Sequence, residues 1–169
     1  YSYNKEKYYE FDIHPYFIKA FKKRWYVVAY SPGTDDIRCY ALDRMENVVV
    51  SEEVFKMPKD LEPADYFKDC FGIINSEDTE IQKVVLKVDA FQSNYIRNLP
   101  LHSSQKETKR TADYSIFEYH LKPEFDFEQE IFSNMDAMEV LKPQGLREKV
   151  IERLKNLALK YHIQIAQKK

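Results

Sequence analysis

Residues 23–44, KRWYVVAYSPGTDDIRCYALDR, determine the fold expected for the first part of the chain. They contain two runs rich in aromatic and β-branched residues, 24–31 and 36–43, and such runs favour extended backbone. Between them, residues 31–35 form a cluster with proline and glycine that is typical of a tight turn. The stretch therefore predicts two strands joined by a turn.

Similar runs lie on both sides of this stretch. Further strands are predicted at residues 8–13, 16–21 and 47–51. Five short strands spaced this closely are typical of a small β-barrel. The first part of the chain is therefore expected to be all-β.

The pattern changes after a segment that contains two prolines and several charges, residues 56–63. A short helix is predicted next, at residues 64–71, so the domain junction is placed here. Beyond it, strands are predicted at residues 83–89, 114–121 and 138–141, and helices at residues 91–99 and 124–132. Strands that alternate with helices in so short a segment predict a ferredoxin-like α/β sandwich, and the whole chain is expected to be an α+β protein.

A final helix is predicted from Gln144 to about Tyr161. Its apolar side chains recur at helical spacing and form one stripe: Leu146, Val150, Leu154, Leu157 and Tyr161. Such a stripe packs either on the sheet of its own chain or against a partner, and the sequence leaves both open.

Composition narrows the class of protein. A chain of 169 residues with 44% hydrophobic and 15% aromatic residues has enough apolar surface for a globular fold. A formal net charge of −2 argues against a polycation that coats duplex DNA, so any nucleic-acid contact is expected to be local.

No apolar run has the length of a membrane span and residues 1–10 do not read as a signal peptide, so we expect a cytoplasmic protein without membrane contact. Cys39 and Cys70 lie in apolar stretches and predict buried, reduced thiols.

Two segments, residues 23–31 and 37–45, resemble the core of the WYL domain of bacterial transcriptional regulators. In that family a Trp-Tyr-Leu strand is followed, after a turn, by a strand with an arginine, an aromatic residue and a Leu-Asp-Arg end. Here Val27 stands where leucine is usual, and residues 14–16 are similar to the family's proline-led strand. Two later segments resemble the linker and extension of relatives from Bacteroidota-like bacteria: residues 67–73 and 98–105. The resemblance covers nearly the whole chain.

The resemblance implies a division of the chain and a role. It places a WYL domain with an Sm-like, SH3-type barrel at residues 1–57, a linker with a short helix at residues 58–80, and a ferredoxin-like, dimerising WYL C-terminal extension at residues 81–169. Family members normally begin with a winged helix-turn-helix, which we expect to be missing here, and we expect the first barrel strand to be truncated, with no more than residues 1–4 remaining. The chain is therefore expected to be the ligand-sensing, homodimeric C-terminal region of a regulator, which contacts duplex DNA only through the missing N-terminal domain.

The predicted barrel is locally basic, with six basic residues against three acids between His14 and Arg44. Strand alternation places every second residue from Arg38 to Arg44 on one face, so that two guanidinium groups converge with Tyr40 between them. Guanidinium groups suit phosphate oxygens, and aromatic side chains among cations stack on the bases of single strands. We therefore predict that this face binds single-stranded nucleic acid or a nucleotide-like anionic effector. The candidate residues are Tyr16, Lys19, Arg24, Tyr26, Ser31, Arg38, Tyr40 and Arg44.

Several of these side chains have alternative roles. Trp25 and Tyr26 point to opposite faces of their strand, and we expect Trp25 to fill the barrel core. Residues 22–24 are expected near a hairpin tip, where a solvated basic turn is the more common explanation. Arg44 also suits a structural ion pair with a neighbouring acid, and Ser31 is equally suited to initiating the turn.

The polar segment of residues 102–110 lies between a predicted helix and a predicted strand. It is expected to be a mobile surface loop. The alternative is a lip that closes over a ligand.

The sequence contains no pattern typical of an enzyme. Its four histidines are scattered without an i, i+4 pair, and neither a glycine-rich phosphate loop nor a serine or cysteine nucleophile in a recognisable turn is present. We predict a binding protein without enzymatic activity, metal or cofactor. The alternative function is a ligandless oligomerisation or protein-interaction scaffold whose basic face is internally paired.

Overall fold

The computed structural model describes residues 1–134 and 136–163. Two units, Tyr1–Phe67 and Lys68–Lys169, make up the chain, and each is described by itself. Each contains one antiparallel sheet together with helix, which confirms the prediction of an α+β protein. Within the described residues, no helix has both the length and the apolar character that crossing a membrane requires.

The sheet of the first unit has three strands: β1 (His14–Phe21), β2 (Arg24–Ser31) and β3 (Asp36–Ala41). Their spatial order is β1-β2-β3. A two-residue turn joins β1 to β2, and in it Lys22 and Lys23 both have positive φ, 44° and 65°. Two-residue turns with this backbone follow the right-handed twist of the strands on either side. The chain passes from β2 to β3 through the predicted turn at residues 31–35, where the Asp35 N–H donates to the Ser31 carbonyl.

The first unit has fewer strands than predicted. Residues 8–13 and 47–51 are not strands, because neither segment forms a backbone ladder with β1, β2 or β3. The φ of Asn47 is 53°, which interrupts extended backbone, and residues 48–50 are exposed. Strand β3 also ends earlier than predicted, and Leu42–Arg44 forms a 3₁₀ turn instead. The three-stranded sheet does not close on itself, so the predicted Sm-like barrel is not confirmed.

One face of this sheet packs on a short helix, α1 (Pro63–Tyr66), and on Phe67 after it. The register places Val28 of β2 opposite Phe17 of β1, so both side chains share this face. The ring of Phe17 lies 6.2 Å from that of Phe67. Tyr26 and Val28 are buried here. The helix is shorter than the predicted helix at residues 64–71.

The second unit begins its regular structure with β4. Its strands are β4 (Gln82–Asp89), β5 (Lys106–Arg110), β6 (Tyr114–Leu121) and β7 (Met138–Lys142), and its helices are α2 (Ala90–Asn98), α3 (Phe125–Ser133) and α4 (Gln144–Lys160). The spatial order is β5-β6-β4-β7, and every neighbouring pair is antiparallel. Strand β5 is missing from the sequence prediction because its sequence, KETKR, is charged and largely exposed at a sheet edge. The predicted mobile loop at residues 102–110 is therefore wrong for residues 106–110.

Alternate residues of the two central strands form the core of the second unit. Those that are almost fully buried are Val84, Leu86, Val88, Phe117, Tyr119 and Leu121. Phe127 and Ile131 of α3 and Leu146 of α4 belong to the same cluster. Helix α4 leaves this core after Val150, and Leu154 and Leu157 remain 38% exposed. The predicted stripe of α4 is thus buried only in its first two turns.

Candidate ligand-binding surface

The strand register separates the predicted site residues onto the two faces of the first sheet. Lys19 pairs with Tyr26, and cross-strand partners project to the same side. This side is the one that Phe67 covers, and we call it the inner face. Tyr40 pairs with Val27 and therefore lies on the opposite face, together with Trp25.

The predicted site residues of the inner face are engaged within the unit. Tyr26 is 8% exposed. The ammonium of Lys19 lies 3.8 Å from the centre of the Phe67 ring, a cation–π contact. Arg24 Nε is 3.1 Å from Asp43 Oδ2. These contacts stabilise the unit itself.

The opposite face carries four side chains that we call the Trp25 face: Ile18, Trp25 and Arg38 are exposed, and Tyr40 is partly buried. Trp25 is 54% exposed and Ile18 61% exposed. The expectation that Trp25 fills the core is therefore wrong, because Tyr26 occupies that position. The guanidinium of Arg38 is half-exposed, and its Nε lies 3.3 Å from Asp36 Oδ2.

The Trp25 face is a row. Tyr40 lies opposite Val27 and Arg38 lies opposite Ala29, so the row runs from Trp25 through Tyr40 to Arg38. At about 3.3 Å per residue, its two ends are about 13 Å apart along the strands. The ring of Tyr40 also contacts Phe11, with centroids 5.3 Å apart. An arginine and two aromatic side chains are thus aligned on one partly exposed surface.

Arg44 does not join this row. The alternation that predicts its place beside Arg38 stops at Ala41, where the 3₁₀ turn begins. The Arg44 guanidinium instead lies 5.2 Å from the centre of the Tyr3 ring. The acid next to it, Asp43, pairs with Arg24.

Ser31 is buried at the end of β2, and its backbone has a structural role. Its carbonyl oxygen accepts the N–H groups of Thr34, at 3.1 Å, and Asp35, at 2.9 Å. Ser31 is 3% exposed, which removes its side chain from solvent. These observations favour the interpretation of Ser31 as a turn-initiating residue.

The structure places one predicted site residue, Tyr16, in an aromatic cluster that the sequence analysis did not predict: His14, Tyr16, Tyr30 and Phe55. His14 and Phe55 are stacked, with centroids 4.7 Å apart and planes inclined by 5°. The Tyr16 ring lies 6.2 Å from Phe55, and the Tyr30 ring lies 5.6 Å from His14. Phe55 is remote from the others in sequence and lies outside any regular element, so no periodicity indicates its position.

His14 carries an unsatisfied polar atom. Its Nε2 is buried and has no hydrogen-bond partner among the residues described. A carboxylate oxygen, Glu53 Oε1, lies 3.8 Å away, which is too far for a hydrogen bond. At the other end of the cluster, the Tyr30 hydroxyl donates to Asp35 Oδ1 at 2.7 Å, and this hydrogen bond raises the pKa of Tyr30. Buried polar atoms without partners are rare in folded proteins.

In the second unit, the segment at residues 102–105 is anchored. His102 is 9% exposed, and its ring nitrogens lie 2.9 Å from the Lys68 carbonyl oxygen and 2.7 Å from Ser104 Oγ. Burial lowers the pKa of His102. The Gln105 amide donates to the Ile96 carbonyl at 2.9 Å. These hydrogen bonds hold the segment in place, which does not favour a mobile lip that closes over a ligand.

No three His, Cys, Asp or Glu side chains are placed to hold a metal ion in the part of the chain that the structure describes. Cys70 is buried, and Cys39 is partly buried.

Two family models match the chain. Residues 1–50 match the WYL domain, and residues 80–158 match the WCX domain. Among solved structures, the chain is similar to the proteasome accessory factor B/C (PafBC) of Arthrobacter aurescens, at 18% identity and a TM-score of 0.41. That match covers 93% of this chain but 24% of the PafBC chain, so the sequence spans about a quarter of its relative. No curated protein matches.

Proposed function

We propose that this chain, which carries a WYL domain at residues 1–50 and a WCX domain at residues 80–158, is the effector-sensing region of a bacterial transcriptional regulator. Its resemblance to bacterial WYL-family regulators extends over both domains. A regulator of this kind acts in the cytoplasm and reads duplex DNA through a separate helix-turn-helix domain. In this proposal the first unit is the core of a small Sm-like barrel, and the second is a ferredoxin-like unit.

The effector that we propose is a short single-stranded nucleic acid bound on the Trp25 face. The observation that carries this proposal is the alignment of half-exposed Arg38 with Tyr40 and exposed Trp25. Aromatic rings stack on bases of any sequence, with about 1 to 3 kcal/mol per base, and arginine binds phosphate through its fork of donors.

The length of the row favours an oligonucleotide over a mononucleotide. The backbones of Trp25 and Arg38 lie about 13 Å apart along the strands, and in this proposal the base stacked on Trp25 and the phosphate bound by Arg38 belong to different nucleotides. A strand of several nucleotides reaches both residues at once. A mononucleotide uses only one end of the row and gains less free energy.

Regulation requires that the effector bind two arrangements of the protein with different affinity. We propose that the protein is a homodimer formed through the second unit and that occupancy of the Trp25 face shifts the balance between two dimer arrangements. A difference of about 1 to 3 kcal/mol suffices for a 5- to 150-fold change in a linked equilibrium. The exposed stripe of α4, with Leu154 and Leu157, is the surface that we assign to the second copy.

A fluorescence anisotropy titration tests the effector proposal. A labelled single-stranded oligonucleotide is titrated with the chain at low and at moderate salt, alongside Trp25→Ala and a matched control, Phe91→Ala. Phe91 is an exposed aromatic residue of α2, at 70% exposure, and contributes nothing to the Trp25 face. We expect saturable binding that weakens with salt and is lost only in Trp25→Ala. Equal binding by both variants contradicts the proposal.

The second candidate function is a ligandless oligomerisation scaffold. It is favoured by the Arg38–Asp36 contact at 3.3 Å, which pairs the arginine internally, and by the exposed stripe of α4. A scaffold forms the same dimer with or without the oligonucleotide. The anisotropy of the labelled oligonucleotide then changes little on addition of the chain, at either salt concentration. Binding that is absent at low salt, together with a stable dimer, supports the scaffold.

A further inference from the structure

The second unit begins with a segment that is attached to the end of β6 well before the first strand of that unit. We call residues 68–76 the entry segment, because Lys68 is the first residue of the second unit. The carbonyl oxygen of Asp69 accepts the N–H of Lys122 at 2.8 Å, and Cys70 forms an isolated parallel bridge with the same residue. Cys70 is 5% exposed. The attached segment therefore keeps the Cys70 thiol away from solvent.

His102 holds the start of the entry segment through a neutral ring. Its Nε2 lies 2.9 Å from the Lys68 carbonyl oxygen, which can only accept, so Nε2 carries a hydrogen atom. Its Nδ1 accepts the N–H of Ser104 at 3.2 Å. A proton on Nδ1 would face this N–H and leave it without that acceptor. The two contacts together therefore require the neutral form of His102.

The ring of His102 lies among Ser104, the backbone of His120 and the carboxylate of Asp69. Nδ1 is also 2.7 Å from Ser104 Oγ, and that oxygen accepts the N–H of His120 at 2.9 Å. The side chain of His120 is itself exposed. The charge of Asp69 favours the protonated ring, but burial opposes protonation more strongly and lowers the pKa of His102. Protonation is thus costly as long as the entry segment covers the ring.

The rest of the entry segment is held by groups other than His102. The carboxylate of Asp126, a residue that is 6% exposed, accepts the N–H of Ile73 at 2.8 Å. The ring of Phe71 lies 5.5 Å from that of Phe127, which belongs to the core of the unit. These contacts include no histidine, so a change in the charge of His102 leaves them in place.

We propose that protonation of His102 in mild acid releases residues 68–70 from the second unit, while the sheet, the core and the second half of the entry segment stay in place. Opening of so small a part of a unit requires less free energy than unfolding of the whole unit. Because Lys68 directly follows the first unit, release lengthens the free chain between the two units. The length of this connection then depends on pH.

Labelling of the Cys70 thiol measures this release in the full chain. Cys39→Ser removes the other cysteine, and dithiodipyridine is added at about pH 7.5 and at about pH 5.5, on either side of the usual histidine pKa. The labelling rate of the urea-unfolded chain, divided by that of the folded chain at the same pH, gives a protection factor free of the thiol's own pH dependence. We expect the protection of Cys70 to fall by up to about tenfold at the lower pH, because the released ring takes up a proton with a pKa of about 6.5.

A second thiol separates release from unfolding of the whole unit. Ser93 is fully buried in α2, so Ser93→Cys, in a chain that carries Cys39→Ser and Cys70→Ala, reports on opening of the unit. At the lower pH, Cys70 should be at least about tenfold less protected than this thiol, because local opening requires less free energy. Equal protection of the two thiols overturns the proposal, since Cys70 then reacts only when the unit unfolds.

Two histidine variants assign the effect to His102. His102→Gln retains a side-chain amide that can donate toward the Lys68 carbonyl but takes up no proton, so the protection of Cys70 should be the same at both pH values. His120→Gln, at an exposed position of β6, is the matched control and should retain the decrease. His102→Asn takes the place of His102→Gln if that variant does not fold. A decrease that persists without His102, or no decrease in the chain that retains it, overturns the proposal.

Discussion

Trp25 and Tyr26 are neighbours in β2, yet Tyr26 is 8% exposed and Trp25 is 54% exposed. Tyr26 lies on the inner face opposite Lys19, whose ammonium contacts Phe67. Trp25 lies on the other face, in the row that leads to Tyr40 and Arg38. The two aromatic residues therefore have separable roles: Tyr26 is part of the packed core, and the proposed function assigns Trp25 to ligand binding.

Truncation of each aromatic residue should separate these contributions. Tyr26→Ala removes a buried side chain, and we expect the free energy of unfolding to fall by about 2 to 4 kcal/mol. Trp25→Ala removes an exposed one and should change the free energy of unfolding by less than about 1 kcal/mol. Urea denaturation followed by circular dichroism measures both. A larger loss in Trp25→Ala than in Tyr26→Ala contradicts the assignment of faces.

The second unit contains a carboxylate whose ion pair should govern its stability in acid. Arg97 Nη2 and Nε donate to the two oxygens of Glu107 at 2.8 and 2.9 Å, and Ser115 Oγ donates at 2.6 Å. The hydrogen bonds from Arg97, then that from Ser115, lower the pKa of Glu107 from 4.5 to about 2. A lowered carboxyl pKa stabilises the fold above the unfolded-state pKa, and this stabilisation is lost as the pH falls from about 4.5 to about 2.

Glu107→Gln should therefore lower the free energy of unfolding by about 1 to 3 kcal/mol at neutral pH, and by less in acid. Denaturation series at several pH values between neutral and about 2 measure this. Glu152→Gln, on the exposed surface of α4, is the control and should follow the wild type throughout. An effect of Glu107→Gln that is the same at every pH contradicts the account.

His102 should make the second unit sensitive to mild acid. Burial lowers its pKa in the folded state, so below the unfolded value of about 6.5 the unfolded chain binds more protons than the folded one. The free energy of unfolding should therefore decrease as the pH falls through about 6.5.

His102→Gln should flatten this dependence while lowering stability at pH values above it, because the bond to the Lys68 carbonyl is weakened. His120→Gln, at an exposed position of β6, is the matched control and should retain the slope. Thermal unfolding of both variants and the wild type, at pH values on either side of about 6.5, measures this dependence. An unchanged slope in His102→Gln indicates that another group is responsible.

The exposed half of α4 should mediate self-association. Leu154→Glu places a charge on the stripe beyond Val150, and we expect it to shift a dimer to a monomer without loss of helix. Lys155→Glu, on the neighbouring exposed position, is the control for charge alone. Sedimentation equilibrium over a range of concentrations measures the change. A wild type that is monomeric at every concentration contradicts the assignment.

Strands and helices with clear periodicity were predictable. The predicted strands at residues 24–31 and 114–121 coincide with β2 and β6. Both segments lie between turn residues and are rich in apolar and aromatic side chains, which made them recognisable. Strand β5 was not predicted, because its sequence KETKR lies at a sheet edge and its side chains are almost all exposed. Residues 47–51 have the composition of a strand, but no neighbouring strand pairs with them.

The candidate site was predictable only in part. The residue types and the pairing of Arg38 with Tyr40 follow from alternation within one strand. Residues of β2 on both faces are buried, and the contact of Phe67 with the inner face is made from far along the chain, so alternation alone did not decide between Trp25 and Tyr26. The His14–Phe55 contact likewise joins segments that share no local pattern.

The most direct test of the central claim uses Trp25, the only tryptophan in the chain, as its own reporter. Its fluorescence is followed while a single-stranded oligonucleotide of about ten nucleotides, within the usual range of such sites, is added to the wild type, Arg38→Ala and Arg44→Ala. We expect saturable quenching in the wild type and in Arg44→Ala, and weakening of at least about tenfold in Arg38→Ala. No quenching in the wild type, or an equal loss in both arginine variants, contradicts binding on the Trp25 face.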